Sequence, residues 1–252
     1  MSSGLIKTAA LDPPRLNGAE LLLPIPKAGE EVILSRGAAA LVVLPVFLQA
    51  PWVRLHPFSA GLFSFLLLGV GILLGMRVEP AKARWGALLV GFSGSWLAGT
   101  LFWGWLRAHP LLHLPIEALA LPLALTGLQG RWRLGCSFYL ASLVGTTLTD
   151  LAMALTGVMR LWPAVVEAPI EEAQPLLQQA ALTLSRPTSL AILLAFTGLI
   201  LLIARTLRRR GRLCPSGDAS WGVASAVLIT TLMIDGLFLL TALIQPRFSG
   251  LI

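Results

Sequence analysis

The sequence predicts an all-α, polytopic integral membrane protein with about seven transmembrane helices, and three observations carry that prediction. Hydrophobic residues make up 56% of the 252-residue chain and charged residues only 12%, about half the charge of an average soluble domain. The apolar residues are collected into long runs, and a bilayer core of ~30 Å asks for about 20 such residues per helix. Outside the runs stand all the basic residues but Arg205, and seven of the eight tryptophans lie outside the runs or near their ends, where loops and headgroups are expected.

The first element is a tail, residues 1–36. Asp12, Pro13, Pro14, Arg15, Glu30 and Glu31 interrupt its apolar patches, so it lacks the continuous apolar core of a secretory signal. It reads as a loosely ordered segment with a surface-lying piece at Leu21–Ile25. Residues 37–252 then form a single transmembrane domain.

The apolar runs are Gly37–Val53, Phe58–Met76, Gly86–Leu106, Pro110–Leu128, Leu134–Val158, Thr188–Leu207 and Gly222–Gln245. The first holds Pro45 and is expected to kink or tilt, because proline removes a helix hydrogen bond. In the third, Gly91, Ser95 and Gly99 recur every fourth residue, a pattern that lets another helix approach closely. The fourth is interrupted by Pro115, Glu117 and Pro122. It is short if begun at Pro115 and broken if begun at Pro110, so six crossings plus a re-entrant segment is the alternative. Within the long loop 159–187, Leu176, Leu177, Ala180, Ala181 and Leu184 fall on one helical face, opposite Gln178 and Gln179. That pattern predicts an amphipathic helix at 173–185, lying on the outer interface.

Orientation follows from the loops. With the N-terminus cytoplasmic, that side collects Lys7, Arg15, Lys27, Arg36, Arg77, Lys82, Arg84, Arg131, Arg133, Arg205, Arg208, Arg209, Arg210 and Arg212, while Arg54, Arg107, Arg160, Arg186 and Arg247 fall outside. Fourteen bases against five is the asymmetry expected of cytoplasmic loops. Trp85, Trp132 and Trp221 fall at inner ends and Trp52, Trp103, Trp105 and Trp162 at outer ends, as two interfacial belts. The net charge of +7 therefore has a topological cause, and no basic stretch has a soluble fold with which to bind nucleic acid. Lipid and other membrane proteins are the expected partners. Cys136 and Cys214 form no spacing motif and read as reduced structural residues.

Three polar groupings could carry chemistry. Asp150 and Asp235 lie inside apolar runs, each after a threonine pair that includes Thr147 or Thr231. A buried aspartate costs about 2.5–3.5 kcal/mol at a helix centre, so each must face protein or water. They are either interhelical glue or part of a proton or cation pathway. The histidines His56, His109 and His113 all fall at the outer face. If the turn is helical, His109, His113 and Glu117 share a face at four-residue steps, a spacing that can ligate a metal, a haem or a pigment. Pro110 and Pro115 work against that helix, and no HExxH-type signature is present. The exposed basic cluster Arg208, Arg209, Arg210 and Arg212 reads as a topological anchor facing anionic lipid. No catalytic residue, metal or cofactor is named by a motif, and Ser93 and Ser95 lack a neighbouring base.

The stretches LPVFLQAPWVRLHP, WGALLVGFSGSWLAGTLFWGWLRAHPLLHLPIEALALP and FYLASLVGTTLTDL resemble an uncharacterised family of cyanobacterial multi-pass membrane proteins, domain of unknown function family 3120. The likeness covers about residues 40–245, with Trp96, Trp103, Gly104, Trp105, Arg107, His113, Pro115, Glu117 and Asp150 in the family's pattern. It implies a cyanobacterial plasma or thylakoid membrane and brings no activity, catalytic residue or cofactor. Three function classes follow. Placed first is a non-catalytic accessory or assembly partner of a membrane complex. A small transporter or permease using Asp150 and Asp235 comes next. A metal- or pigment-binding protein using the histidines comes last. Enzymatic activity is not the expectation.

Overall fold

Each apolar run folds as helix. The structure, a computed structural model, describes residues 29–213 and 218–244. The surface piece expected at Leu21–Ile25, as well as Cys214 and Arg247, lie outside the described residues. Among the described residues there is no strand. Seven helical segments are long and apolar enough to cross a membrane: Glu30–Leu55, Pro57–Gly75, Pro80–Leu106, Pro110–Gly127, Arg133–Thr156, Pro187–Leu213 and Ala219–Thr241.

Prolines and glycines set the boundaries. The first segment begins at Glu30, seven residues before the first apolar run, so Glu30–Arg36 belongs to a helix. It comprises α1 (Glu30–Leu44), a π-helical turn at Pro45–Gln49 and α2 (Ala50–Leu55). The π turn absorbs the missing amide of Pro45 without ending the helix. His56 then leaves helical geometry at φ −143°, and α3 (Pro57–Gly75) returns with proline in its first turn, where no amide is needed. α4 (Pro80–Leu101) continues into a second π turn at Phe102–Leu106.

The fourth crossing is broken. It contains a 3-10 turn at Pro110–Leu112, α5 (His113–Glu117) and α6 (Leu121–Gly127). The backbone groups freed at its break are satisfied by Tyr139, whose hydroxyl donates to the Glu117 carbonyl and accepts from the Ala120 amide at 3.1 Å. Within a bilayer such groups must find protein partners. The segment nevertheless runs the length of the bundle. His113 meets Asp150 and Gly127 meets Cys136, positions fourteen residues apart on one helix, or about 21 Å.

That helix is α7 (Arg133–Thr156), closed by Gly157 at φ +79°, a left-handed cap that glycine adopts without strain. α8 (Trp162–Glu167) and α9 (Ile170–Leu184) follow, then α10 (Pro187–Leu213) and α11 (Ala219–Ile244). On α9, Leu176, Leu177, Ala180, Ala181 and Leu184 are sheltered while Gln178 and Gln179 are exposed, and the sheltered face lies against the bundle.

Glycines let the central helices touch. A Cβ on Gly91 would strike the Gly135 carbonyl, and one on Gly135 would strike that of Ala87, so α4 and α7 meet backbone to backbone. Gly86 meets Gly71 and Gly75 of α3 in the same way. Gly99 differs: its open side holds the Gln49 side chain, 2.9 Å from where a Cβ would stand. Around these crossings Leu34, Leu88, Phe92, Trp96, Phe138, Val223, Val227 and Leu228 form the core. Outward-facing Phe65, Leu66, Leu73, Leu194 and Leu202 are exposed, as lipid-facing positions are.

The two ends of the bundle differ in chemistry. At one end Glu30 pairs with Arg84 in a largely buried ion pair. There too Trp85 covers Gly37 and Trp132 covers Gly75, and Arg133 and Arg210 each stand 6.0 Å from the Trp221 ring. At the other end Trp103 packs on Trp162 at 5.6 Å, Phe58 on Trp105, and the Trp162 indole donates to the Arg107 carbonyl at 2.7 Å.

Candidate functional site

A cavity of about 530 Å³ opens between α1, α4, the broken fourth crossing, α7, α9, α10 and α11. The fourth crossing lines it with Pro110, His113 and Glu117, where the helix α5 is only five residues long. Both π turns reach its wall, through Pro45, Val46 and Gln49 on one side and Phe102 and Trp103 on the other. The sheltered face of α9 closes another side with Leu177, Ala180, Ala181 and Leu184.

Most of the wall is apolar, but its titratable groups are concentrated in one place. His113 Nδ1 stands 3.0 and 3.2 Å from the two Asp150 carboxylate oxygens. An ionised carboxylate only accepts, so against it Nδ1 is the protonated nitrogen. The imidazole is held by stacking on Phe102 at 4.2 Å and turns its Nε2 toward Glu117 Oε1, 3.9 Å away. Thr149 Oγ1 donates to Asp235 Oδ2 at 2.7 Å. Glu117 and Asp150 are each 8% exposed. His113, Glu117, Asp150 and Asp235 all line the cavity, whereas no lysine or arginine does among its described residues.

The structure thus joins two groupings that the sequence leaves apart. Asp150 and Asp235 face the same cavity. The threonine that serves Asp235 is Thr149, however, and not Thr147 or Thr231. Thr147 and Thr231 instead donate to carbonyls one turn back, Leu143 at 2.7 Å and Val227 at 3.1 Å. Thr231 still lines the cavity and fills the gap opposite Gly145, while Thr147 does neither.

The four-residue outer-face cluster does not assemble. Of His56, His109, His113 and Glu117, only the last two come together. His109 has φ −116°, outside helical geometry, because Pro110 disfavours a helical predecessor. The four-residue alignment with His113 is lost, and His56 and His109 are both exposed. Among the described residues no group of three or more His, Cys, Asp or Glu is arranged to hold a metal ion. Arg208, Arg209, Arg210 and Arg212 are exposed on the last turns of α10, at the far end from this site.

Sequence reasoning assigns no place in the site to three residues that build it. Gln49, 1% exposed, donates to the Trp96 carbonyl and to Thr100 Oγ1 at 2.8 Å and lines the cavity. Tyr139 fixes the break that carries Glu117. Ser95 lines the cavity with a buried hydroxyl that has no partner among the described residues. A lone amide and the chain's one tyrosine in apolar runs were the available signals.

A family model described as "Protein of unknown function (DUF3120)" matches residues 38–243. No curated protein and no solved structure matches the chain.

Proposed function

Because the chain belongs to the DUF3120 family, whose description assigns no activity, we propose a function from its own geometry: an intramembrane solute-binding protein of the transporter or permease class. The observation that carries it is the convergence of the His113–Asp150 pair, the Thr149–Asp235 pair and Glu117 on one cavity of about 530 Å³. Ligand sites are concave, mostly apolar and few, with a handful of convergent polar groups. Ionisable residues among apolar helices are expensive and are retained where they face a pathway or a partner. Interhelical glue needs each polar group paired, whereas Glu117 has no hydrogen bond to its carboxylate among the described residues.

The surroundings we infer are a cyanobacterial plasma or thylakoid membrane, with the N-terminus cytoplasmic and other membrane proteins as neighbours. The arginine asymmetry and the resemblance support them. The basic end of the bundle then faces the cytoplasm, and the cavity lies nearer the opposite surface.

The test is complementation of a deletion phenotype, with each variant quantified in the membrane. Asp150→Asn/Asp235→Asn keeps volume and hydrogen-bonding capacity but removes both carboxylates, so it is expected to abolish function at unchanged protein level. Full complementation by the double variant would reject the transport reading. It would return the protein to the class of accessory or assembly partners, with its aspartates as glue.

A further inference from the structure

We propose that the cavity binds an amphipathic organic cation, one protonated or quaternary nitrogen on an apolar body, with the Glu117 carboxylate as its principal counter-charge. This rests on the reading of the cavity as a solute site and names the class of solute.

Charge is the first argument. Three carboxyl groups, Glu117, Asp150 and Asp235, face the cavity, and the described wall offers one imidazole and no lysine or arginine against them. His113 is engaged through Nδ1 with Asp150, and Asp235 has the Thr149 hydroxyl. Glu117 has neither. It is 8% exposed, its nearest basic atom is 3.9 Å away, and that contact is too long for a hydrogen bond. A buried carboxylate left this way is neutralised by a proton or by a positive group from outside the chain, and a bound cation would displace the proton.

Shape is the second argument. The space of about 530 Å³ falls in the range of pockets for small organic ligands and is far larger than a bare ion needs. An inorganic cation needs several converging oxygens, and no group of three metal-ligating side chains is so arranged among the described residues. Away from the carboxylates the wall is aliphatic and aromatic, with Phe196, Phe238 and Trp162. Such rings accept both an apolar body and, through their faces, a cation.

The test uses the full chain in phosphatidylcholine nanodiscs, with tritiated tetraphenylphosphonium as the probe and triphenylphosphine oxide as its neutral counterpart. Saturable binding is expected, with little competition from the neutral compound. Glu117→Gln should weaken binding by about tenfold or more, since it removes the counter-charge of a buried ion. Glu167→Gln, on the exposed end of α8, should leave binding unchanged. Absence of saturable binding, equal competition by the neutral compound, or wild-type affinity in Glu117→Gln would each overturn the proposal. If Glu117→Gln fails to fold, the competition on wild-type protein still decides. Should tetraphenylphosphonium fail to bind while Asp150→Asn/Asp235→Asn still loses complementation, the cation class is wrong and the transport reading stands. Full complementation by that double variant removes the transport reading whatever the binding result.

Discussion

At the scale of single residues, the site is built by unlike means. Asp150 and Asp235 are legible in the sequence because a carboxylate inside an apolar run has to be accounted for. Their partners are not legible. His113 is 37 positions from Asp150, and a uniformly apolar span gives no sign of which way its side chains point. For the same reason Thr149, and not its neighbour Thr147, reaches Asp235. Tyr139 shows what a supporting residue does here: it satisfies one carbonyl and one amide at the break between α5 and α6. Tyr139→Phe removes that donor and acceptor while keeping the ring. We expect it to destabilise the protein by about 1–3 kcal/mol, the cost of leaving buried backbone groups unsatisfied, and to lower the melting temperature of the purified protein in detergent. Unchanged melting would mean that water or a shifted backbone replaces the hydroxyl.

Among the elements, the glycine pattern of α4 is half legible. The four-residue spacing correctly marks a helix that others approach closely, and Gly91 is indeed at a backbone contact with α7. Gly99 instead makes room for a side chain, Gln49. Nor does the spacing reveal Gly71, Gly75, Gly86 or Gly135, whose partners are far away in sequence. Leu88 and Leu89 look equivalent in the chain, yet Leu88 is fully buried and Leu89 only partly so. The difference between the two kinds of glycine can be tested. An added methyl at Gly91 meets a carbonyl that cannot rotate away, whereas one at Gly99 meets the end of a flexible amide. Gly91→Ala is therefore expected to cost about 1–3 kcal/mol, the usual range for overpacking, and Gly99→Ala less. Leu73→Ala, on an exposed face of α3, serves as the control. Equal melting temperatures for Gly91→Ala and Leu73→Ala would show that α4 and α7 do not meet there.

For the whole molecule, crossings and basic residues tell one story. Composition and run length make the all-helical, seven-segment architecture legible, since helix is the structure that satisfies its own backbone in lipid. The interruption of the fourth segment is also legible, from its prolines. What the sequence leaves hidden is that this broken segment still travels from one end of the bundle to the other and lines a cavity on the way. With the basic end cytoplasmic, cysteines placed at Ala81 and Gly130 should react with an impermeant thiol reagent only from the cytoplasmic side, and one at Gln174 only from the other. Labelling of Gln174→Cys from the cytoplasm would reverse the orientation or change the number of crossings.

The broken fourth crossing delivers His113 to Asp150, making one site in place of an outer-face histidine cluster. Site-directed cross-linking tests it most directly, in a background with Cys136 and Cys214 replaced by serine and a protease site inserted at Gly130. A short bis-methanethiosulfonate, which spans the space of the two lost side chains and releases sulfinate as each disulfide forms, should join His113→Cys to Asp150→Cys, so that the cut halves migrate together until reduced. The His109→Cys/Asp150→Cys pair should fall apart after cleavage. If the His109 pair cross-links as well as the His113 pair, or the His113 pair separates, the site is not assembled as described.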